Sequence, residues 1–159
     1  MFSPAINNLI HNIKTHENLQ ALNEDLSEII LKLSGKLGDG AEVVVKKKSQ
    51  KFGELLVKYL REEAGNGGVR SSLKAGEVLN SLKKELEKMS TLDLSVAVTP
   101  SESFIKAVFA WAQRNLGDGV VVNFKKNPLI VGGAIISYKG QYADFSVAKK
   151  LKQEFKQKS

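Results

Sequence analysis

The side chains that could do chemistry are few and badly placed for it. His11 and His16 are the only imidazoles, and five residues separate them, which is neither the same-face spacing of a helical metal pair nor part of a His-Glu-x-x-His motif. They read as polar positions around a helix end. The chain has no cysteine, so a thiol nucleophile, a thiolate metal site and a disulfide framework are all excluded. Gly65-Asn66-Gly67-Gly68 lacks the Lys-Ser/Thr of a phosphate loop and follows a helical pattern where a dinucleotide fingerprint needs a strand, so it reads as a linker. Asp144 and Ser146 could pair as acid and nucleophile, yet no base accompanies them, and both residue types serve equally as caps for a following helix. Gly132-Gly133, inside an apolar run, marks close backbone packing or a bulge. No catalytic residue, cofactor site or metal site is expected.

Function must therefore lie in surfaces, and charge is the first guide to them. The 159 residues carry a formal charge of +7, with 42% hydrophobic and 26% charged residues, the composition of a folded globular chain. Residues 1–50 balance to zero, and most of the excess lies after Thr91, concentrated in Lys149, Lys150, Lys152, Lys156 and Lys158. A solvated helix face favoured by the negative end of the helix dipole accounts for these lysines. A basic nucleic-acid-binding module is the alternative, but no aromatic residues interleave with the cations as a base-stacking platform requires. An acidic protein surface is an equally good target. No apolar run reaches the ~18 residues a membrane span needs, and no secretory or Arg-rich transit signal opens the chain.

The elements follow from periodicity. Ser3-Pro4 starts a first helix carrying Ile6, Leu9, Ile10 and Ile13. A second, from about Asn18, stripes Leu19, Leu22, Leu26, Ile29, Ile30 and Leu33 and stops at Gly35. Lys36 to Gln50 mixes turn-like, strand-like (Val43-Val44-Val45) and solvated pieces and is expected to be mostly irregular. Helical period returns with Phe52, Leu55, Leu56, Tyr59 and Leu60, and again from Ser71 or Ser72 through Leu79, Leu82, Leu86 and Met89. At Leu92 the period becomes two, with Leu92, Leu94, Val96 and Val98 alternating with polar or small residues, and this places a domain boundary near Ser90. Thr99-Pro100-Ser101-Glu102 is a capping box with Thr99 as cap and Pro100 at the first helical position. The helix it opens carries Phe104, Ile105, Val108, Phe109, Ala112 and Leu116. A strand Val120 to Phe124 follows Gly117-Asp118-Gly119, and a third, bracketed by Pro128 and Gly132-Gly133, extends to Tyr138. Lys139-Gly140 turns into a fourth strand, Gln141 to Ala143, and Val147, Leu151 and Phe155 mark a closing helix. The fold class is α+β overall: an N-terminal all-α helical bundle in residues 1–90, then a small α+β domain in residues 91–159 ordered β-α-β-β-β-α. Leu-Gly-Asp-Gly occurs at Leu37 and Leu116, but the sequences that follow diverge, so the repeat reads as coincidence. The single Trp, Trp111, stands beside an already broad apolar face; it is either part of a wide core helix or an anchor for a partner helix.

Pro128-Leu129-Ile130 with Gly132-Gly133, then Asp144-x-Ser146 before a helix, preceded by a strand ending in Val-Thr and a Pro-Ser helix start, resembles the C-terminal signature of the F-type ATP synthase delta subunit, the oligomycin-sensitivity-conferring protein of mitochondria. Val131 stands before the glycine pair as an insertion, and Phe145 replaces the usual glycine. The N-terminal half is similar in pattern, with Lys36 to Gln50 too short for the two helices that family has there, so a trimmed bundle is expected. The resemblance implies a peripheral-stalk subunit that joins the N-terminal segments of the alpha subunits to the b-subunit stalk helices and holds the catalytic head against rotor torque. It implies alpha-facing residues on the first and third recognisable helices, drawn from Ile6, Leu9, Ile10, Phe52, Leu55 and Tyr59, which must also supply the bundle core so that only some are interfacial, and stalk-facing residues Phe104, Val108 and Trp111, with the signature residues structural. A bacterial origin, at the cytoplasmic face of the inner membrane, is the expected setting.

Overall fold

The computed structural model describes residues 4–35, 40–64 and 72–147, together with 149, 152, 153 and 156. The Ser3 cap, Leu37 and its first Leu-Gly-Asp-Gly copy, the Gly65–Gly68 linker, Leu151 and Phe155 lie outside the described residues. The described chain is mixed α and β, with six helices and a four-stranded mixed sheet. It divides into two compact units, residues 1–13 with 17–89 and residues 14–16 with 90–159.

The first unit holds α1 (Pro4–Ile10), α2 (His16–Leu33, of which His16 itself belongs to the second unit), α3 (Ala41–Lys48), α4 (Gly53–Ala64) and α5 (Ser72–Leu86). Its core is the set of stripes read from the periodicity: Leu22, Leu26 and Ile29 of α2, Leu56 and Leu60 of α4, and Leu79 and Leu82 of α5 are all fully buried. Helix α3 corrects the expectation that Lys36 to Gln50 is irregular. Three successive valines favour a strand on propensity alone, but Ala41, Val44 and Val45 fall at i, i+3 and i+4 and are buried together. Burial of that stripe outweighs a propensity cost of a few tenths of a kcal/mol per valine. Lys46, Lys47 and Lys48 close the last turn, where the helix dipole favours cations. Around α3, Arg61 donates to both carboxylate oxygens of Glu42, and Lys48 donates to Glu28 at 2.6 Å, which holds each carboxyl below the usual range. Ser49 accepts from the Phe52 N–H and turns the chain into α4. A Cβ on Gly53 would lie 3.2 Å from the Lys46 Cα, so the α3–α4 crossing is close.

The second unit is the sheet with one described helix across it. Strand order is β2-β1-β3-β4, with β1 (Ser90–Val96) parallel to β2 (Val120–Lys126) and antiparallel to β3 (Ala134–Tyr138), which pairs with β4 (Gln141–Asp144). Helix α6 (Glu102–Leu116) makes the β1–β2 crossover. Phe109 and Ala112 of α6 are buried with Leu92, Leu94, Val96, Val120 and Val122, the alternate residues of one sheet face. Lys139 and Gly140 both take positive φ, 46° and 79°, as the tight two-residue turn between β3 and β4 requires. On the opposite sheet face Asp93 accepts from Asn123 at 2.7 Å and lies 2.9 Å from the Lys125 ammonium; these partners, Lys125 first, depress its pKa. Lys14 accepts the Val122 N–H, and His16 Nδ1 lies 3.3 Å from the Thr91 hydroxyl, so residues 14–16 border β2. His11 is exposed just past α1, and His16 is the first residue of α2.

The end of β1 and the start of α6 differ from the sequence reading. Strand β1 ends at Val96, leaving Val98 69% exposed. The cap of α6 is Ser101, not Thr99: Ser101 is extended and its hydroxyl accepts the Phe104 N–H, so Pro100 precedes the cap. Pro is compatible with an extended entry as well as with a first helical turn.

Gly76 stands inside α5 with nothing within 4 Å of where a Cβ would lie. Replacing an open interior helix glycine by alanine gains backbone entropy. Gly76→Ala is expected to stabilise the chain by about 0.5–1 kcal/mol, measured as a rise in the urea midpoint at unchanged m.

Candidate docking surface

The surface begins with the geometry of α6 on the sheet. The helix packs nearest β2, where Phe104 and Phe124 rings meet at 6.0 Å and a tilt of 56°. Ser101 fixes its first turn, and Gln113 ties its far end to the sheet by donating to the Val120 carbonyl at 3.0 Å. Beside the helix, Phe104, Ala107, Val108 and Trp111 form one wall of a groove of about 330 Å³, floored by Leu92 and Leu94 of β1 and Ala134 and Ile136 of β3. The lining is apolar throughout. Trp111 stays 43% exposed and Phe104 42%, while Val108 is half-buried. Trp111 is thus neither sealed in the core nor wholly in solvent: it forms part of the groove wall.

The structure thus brings together Phe104, Val108 and Trp111, which the sequence reading grouped. It separates the other group from the surface. Ile6, Leu9, Ile10, Phe52 and Tyr59 are all buried inside the first unit, and Leu55 is half-buried. Burial pushes the Tyr59 hydroxyl up to about 12, with Glu63 and Glu85 adding to the effect. These five side chains help to hold the helices together, the core role that the sequence reading also assigned to them. Among the described residues of this unit the large apolar side chains left exposed are Leu31 of α2, Leu73 of α5 and Val43 of α3, at 74%, 71% and 44%; Leu31 and Leu73 are the most open, and Leu73 borders a groove of about 180 Å³ with Ile30, Leu33 and Gly76. Both lie off the buried stripes of their helices. An apolar residue out of phase with a helix's own stripe was the signal that could have found them.

The signature residues form a joint at one end of the sheet. Pro128 to Gly133 is a loop and not the start of β3: Leu129 and Ile130 N–H groups both turn back to Asn127, and Ile130 plugs inward at 4% exposure while Leu129 points out. Gly133 takes φ +80°, and a Cβ there would fall 2.3 Å from the Phe145 carbonyl oxygen and 3.1 Å from the Ser146 Cα. The two segments are locked by Phe145 donating to Ala134 and Val147 donating to Gly132, both at 2.9 Å. Asp144 accepts the Ser146 N–H at 2.8 Å, and the Ser146 hydroxyl first, then this N–H, lower its pKa. Buried Ser146 in turn accepts the Lys149 N–H, starting the helical residues that follow. Asp144 and Ser146 are therefore turn and cap, and the Gly pair is a close backbone approach. Val131, the inserted residue, is 76% exposed.

With this geometry in place the comparisons are decisive on family. The family model described as ATP synthase delta (OSCP) subunit matches residues 4–157. The chain belongs to that family. No curated protein matches it. Members of the delta (OSCP) family are non-catalytic subunits of the ATP synthase peripheral stalk, so this chain serves ATP synthesis by association with other synthase subunits and not by chemistry. Among the described residues no helix is long and apolar enough to cross a membrane.

Gly133 is expected to be the least replaceable of the signature residues. Gly133→Ala combines a left-handed backbone with a backbone clash and should destabilise by about 2–4 kcal/mol. Gly140→Ala shares the positive φ but has open space around its Cβ, so it should lose only about 1–2 kcal/mol. Equal midpoint losses in urea for the two variants would contradict the close-approach account.

Proposed function

We propose that this delta-family chain is a two-ended stator adaptor, in which residues 1–90 act as a helical domain that grips the catalytic head and residues 91–159 act as an α+β domain that grips the stalk. The head contact is with the N-terminal segments of the alpha subunits; the stalk contact is with the distal helices of the b subunits. The setting is the cytoplasmic face of a bacterial inner membrane, where the adaptor keeps the catalytic hexamer from turning with the rotor while protons pass through the membrane sector.

One observation carries the reading: a wholly apolar groove on the sheet, walled by Phe104, Val108 and Trp111, with the Trp ring left open to solvent. Apolar side chains at i, i+4 and i+7 along one helix edge are what a second helix packs against, and a half-exposed Trp at such a groove is the residue type that dominates interface energetics. On the first unit, burial of Ile6, Leu9, Ile10, Phe52 and Tyr59 passes the alpha-facing role to Leu31 and Leu73, with Leu55 at the margin.

Reconstitution with the isolated hexamer and with the stalk helices tests both ends separately. Trp111→Ala should weaken stalk binding by about 2 kcal/mol or more, roughly thirtyfold, at any moderate salt, and leave hexamer binding unchanged. A Leu31→Ser, Leu73→Ser double variant should do the reverse. Failure of the wild-type chain to bind either component, with tight binding to nucleic acid that collapses steeply with salt, would reject the adaptor.

A further inference from the structure

Strand β2 stands at one edge of the sheet, and its sequence is hazardous in that place. Val120-Val121-Val122-Asn123-Phe124 has no charge and no proline, and all but Asn123 are β-branched or aromatic. Such a run on an edge is a template for a strand from another chain. Strand β1 takes one side of β2, and alternate residues of a strand turn both their N–H and C=O the same way. The Val120 carbonyl and the Val122 N–H both bond away from β1, so Val120, Val122 and Phe124 form the outward row.

That row is covered where the strand is most apolar. The Val122 N–H donates to the Lys14 carbonyl at 3.0 Å, and Thr15 pairs with Val122 as a parallel bridge. Gln113 of α6 donates to the Val120 carbonyl at 3.0 Å. His16 Nδ1 lies 3.3 Å from the Thr91 hydroxyl, 75 residues away in sequence, and this contact holds the end of the same short segment beside β1. Lys14, Thr15 and His16 are each half-buried, and they are the only residues before Ser90 that belong to this unit. The rest of the sheet is protected in simpler ways. Strand β2 ends in exposed Lys125 and Lys126, and the other edge, β4, is only four residues long. Val120 to Val122 carry no charge of their own and have the segment instead.

We propose that residues 14–16, with Gln113, guard the outer edge of β2 and keep the second unit from pairing edge to edge with a second copy of this chain. The guard goes beyond the adaptor reading and does not depend on it. A second copy is the partner to exclude because its own β2 offers the same uncharged run. Antiparallel pairing about a twofold axis at Val122 would set Val122 against Val122 and Lys126 against Asp118 of the other copy, with no like charges opposed. Such an interface needs no new side chain, only an open row. By taking the Val122 N–H, a group that is fully buried, the segment satisfies that donor and closes the row in one contact.

Amide exchange and sedimentation of the full-length chain test this together. A Lys14→Gly, Thr15→Gly double variant loosens the segment without altering β2 or removing a buried apolar side chain. In dilute solution it should speed exchange of the Val122 amide by about tenfold or more, while the amides of β1 stay within about twofold of wild type. On concentration it should dimerise, with a dissociation constant on the order of 100 μM or tighter, and the Val122 amide should become protected again in the dimer; wild type should stay monomeric throughout. Thr15→Gly alone is read the same way if the double variant does not fold. A loosened chain that remains monomeric would show that the segment satisfies one N–H and guards nothing. Dimers that leave the Val122 amide exchanging fast have formed elsewhere and overturn the proposal. So does exchange that quickens equally across β1 and β2, because the segment would then support the whole fold instead of one edge.

Discussion

Helix α6 alone is too narrow to cover four strands, and the apolar groove beside it follows from that mismatch. An α-helix with side chains is about 10–12 Å across, and strands lie about 4.8 Å apart. Helix α6, crossing over between β1 and β2, packs nearest β2 and buries Phe109 and Ala112 there. Its other edge, Val108 and Trp111, with Phe104 reaching from this side to Phe124 of β2, walls the apolar groove over β1 and β3. The parallel β1–β2 pair forces a crossover helix, and placing β3 on the other side of β1 extends the floor beyond it. The groove is thus a product of topology as much as of side-chain choice.

The glycine pair then fixes where that floor ends. With φ +80° and no room for a Cβ, Gly133 lets the β3 entrance lie directly on the Phe145–Ser146 backbone. The same contact places Ser146 to cap the following helical turn and Asp144 to hold Ser146. Backbone hydrogen bonds from Phe145 and Val147 close it on both sides. Phe145, standing where the family usually has glycine, is tolerated because its side chain is over half exposed and only its main chain enters the joint. A sequence signature with no reactive group is explained by this: its residues are selected for geometry, and an apolar loop is presented as the consequence.

Most of the architecture was legible because period and punctuation agree along the chain. The stripes of α2, α4 and α5, the change of period at Leu92, and the Lys139-Gly140 turn each specify one local structure. The Phe104, Val108 and Trp111 edge was legible for a related reason, since its apolar arc was too broad for one contact surface. What was not legible depended on tertiary burial. The valines of α3 favour a strand until Ala41, Val44 and Val45 find α4 to pack against. Ser101 and Thr99 are equivalent caps on paper, and the end of β1 at Val96 decides between them. The buried fate of Ile6, Leu9, Ile10, Phe52 and Tyr59 could not be told from an interface role, because apolar spacing alone does not say whether the facing surface belongs to the same chain.

That ambiguity is physical, and it bears on how a stator subunit works. A bundle of short helices has few apolar residues beyond those needed for its own core, as the complete burial of Leu9, Ile10 and Leu56 illustrates. Using the same residues for a partner would make folding depend on assembly. Here the division is clean: side chains on the stripes are buried, and the exposed ones, Leu31, Leu73, Phe104 and Trp111, lie off stripe or at the edge of one. A peripheral-stalk subunit bears a sustained mechanical load, so its contacts must resist dissociation without loosening the scaffold. Under the proposed function, pulling on such exposed side chains would load the interface while the core that positions them is already satisfied.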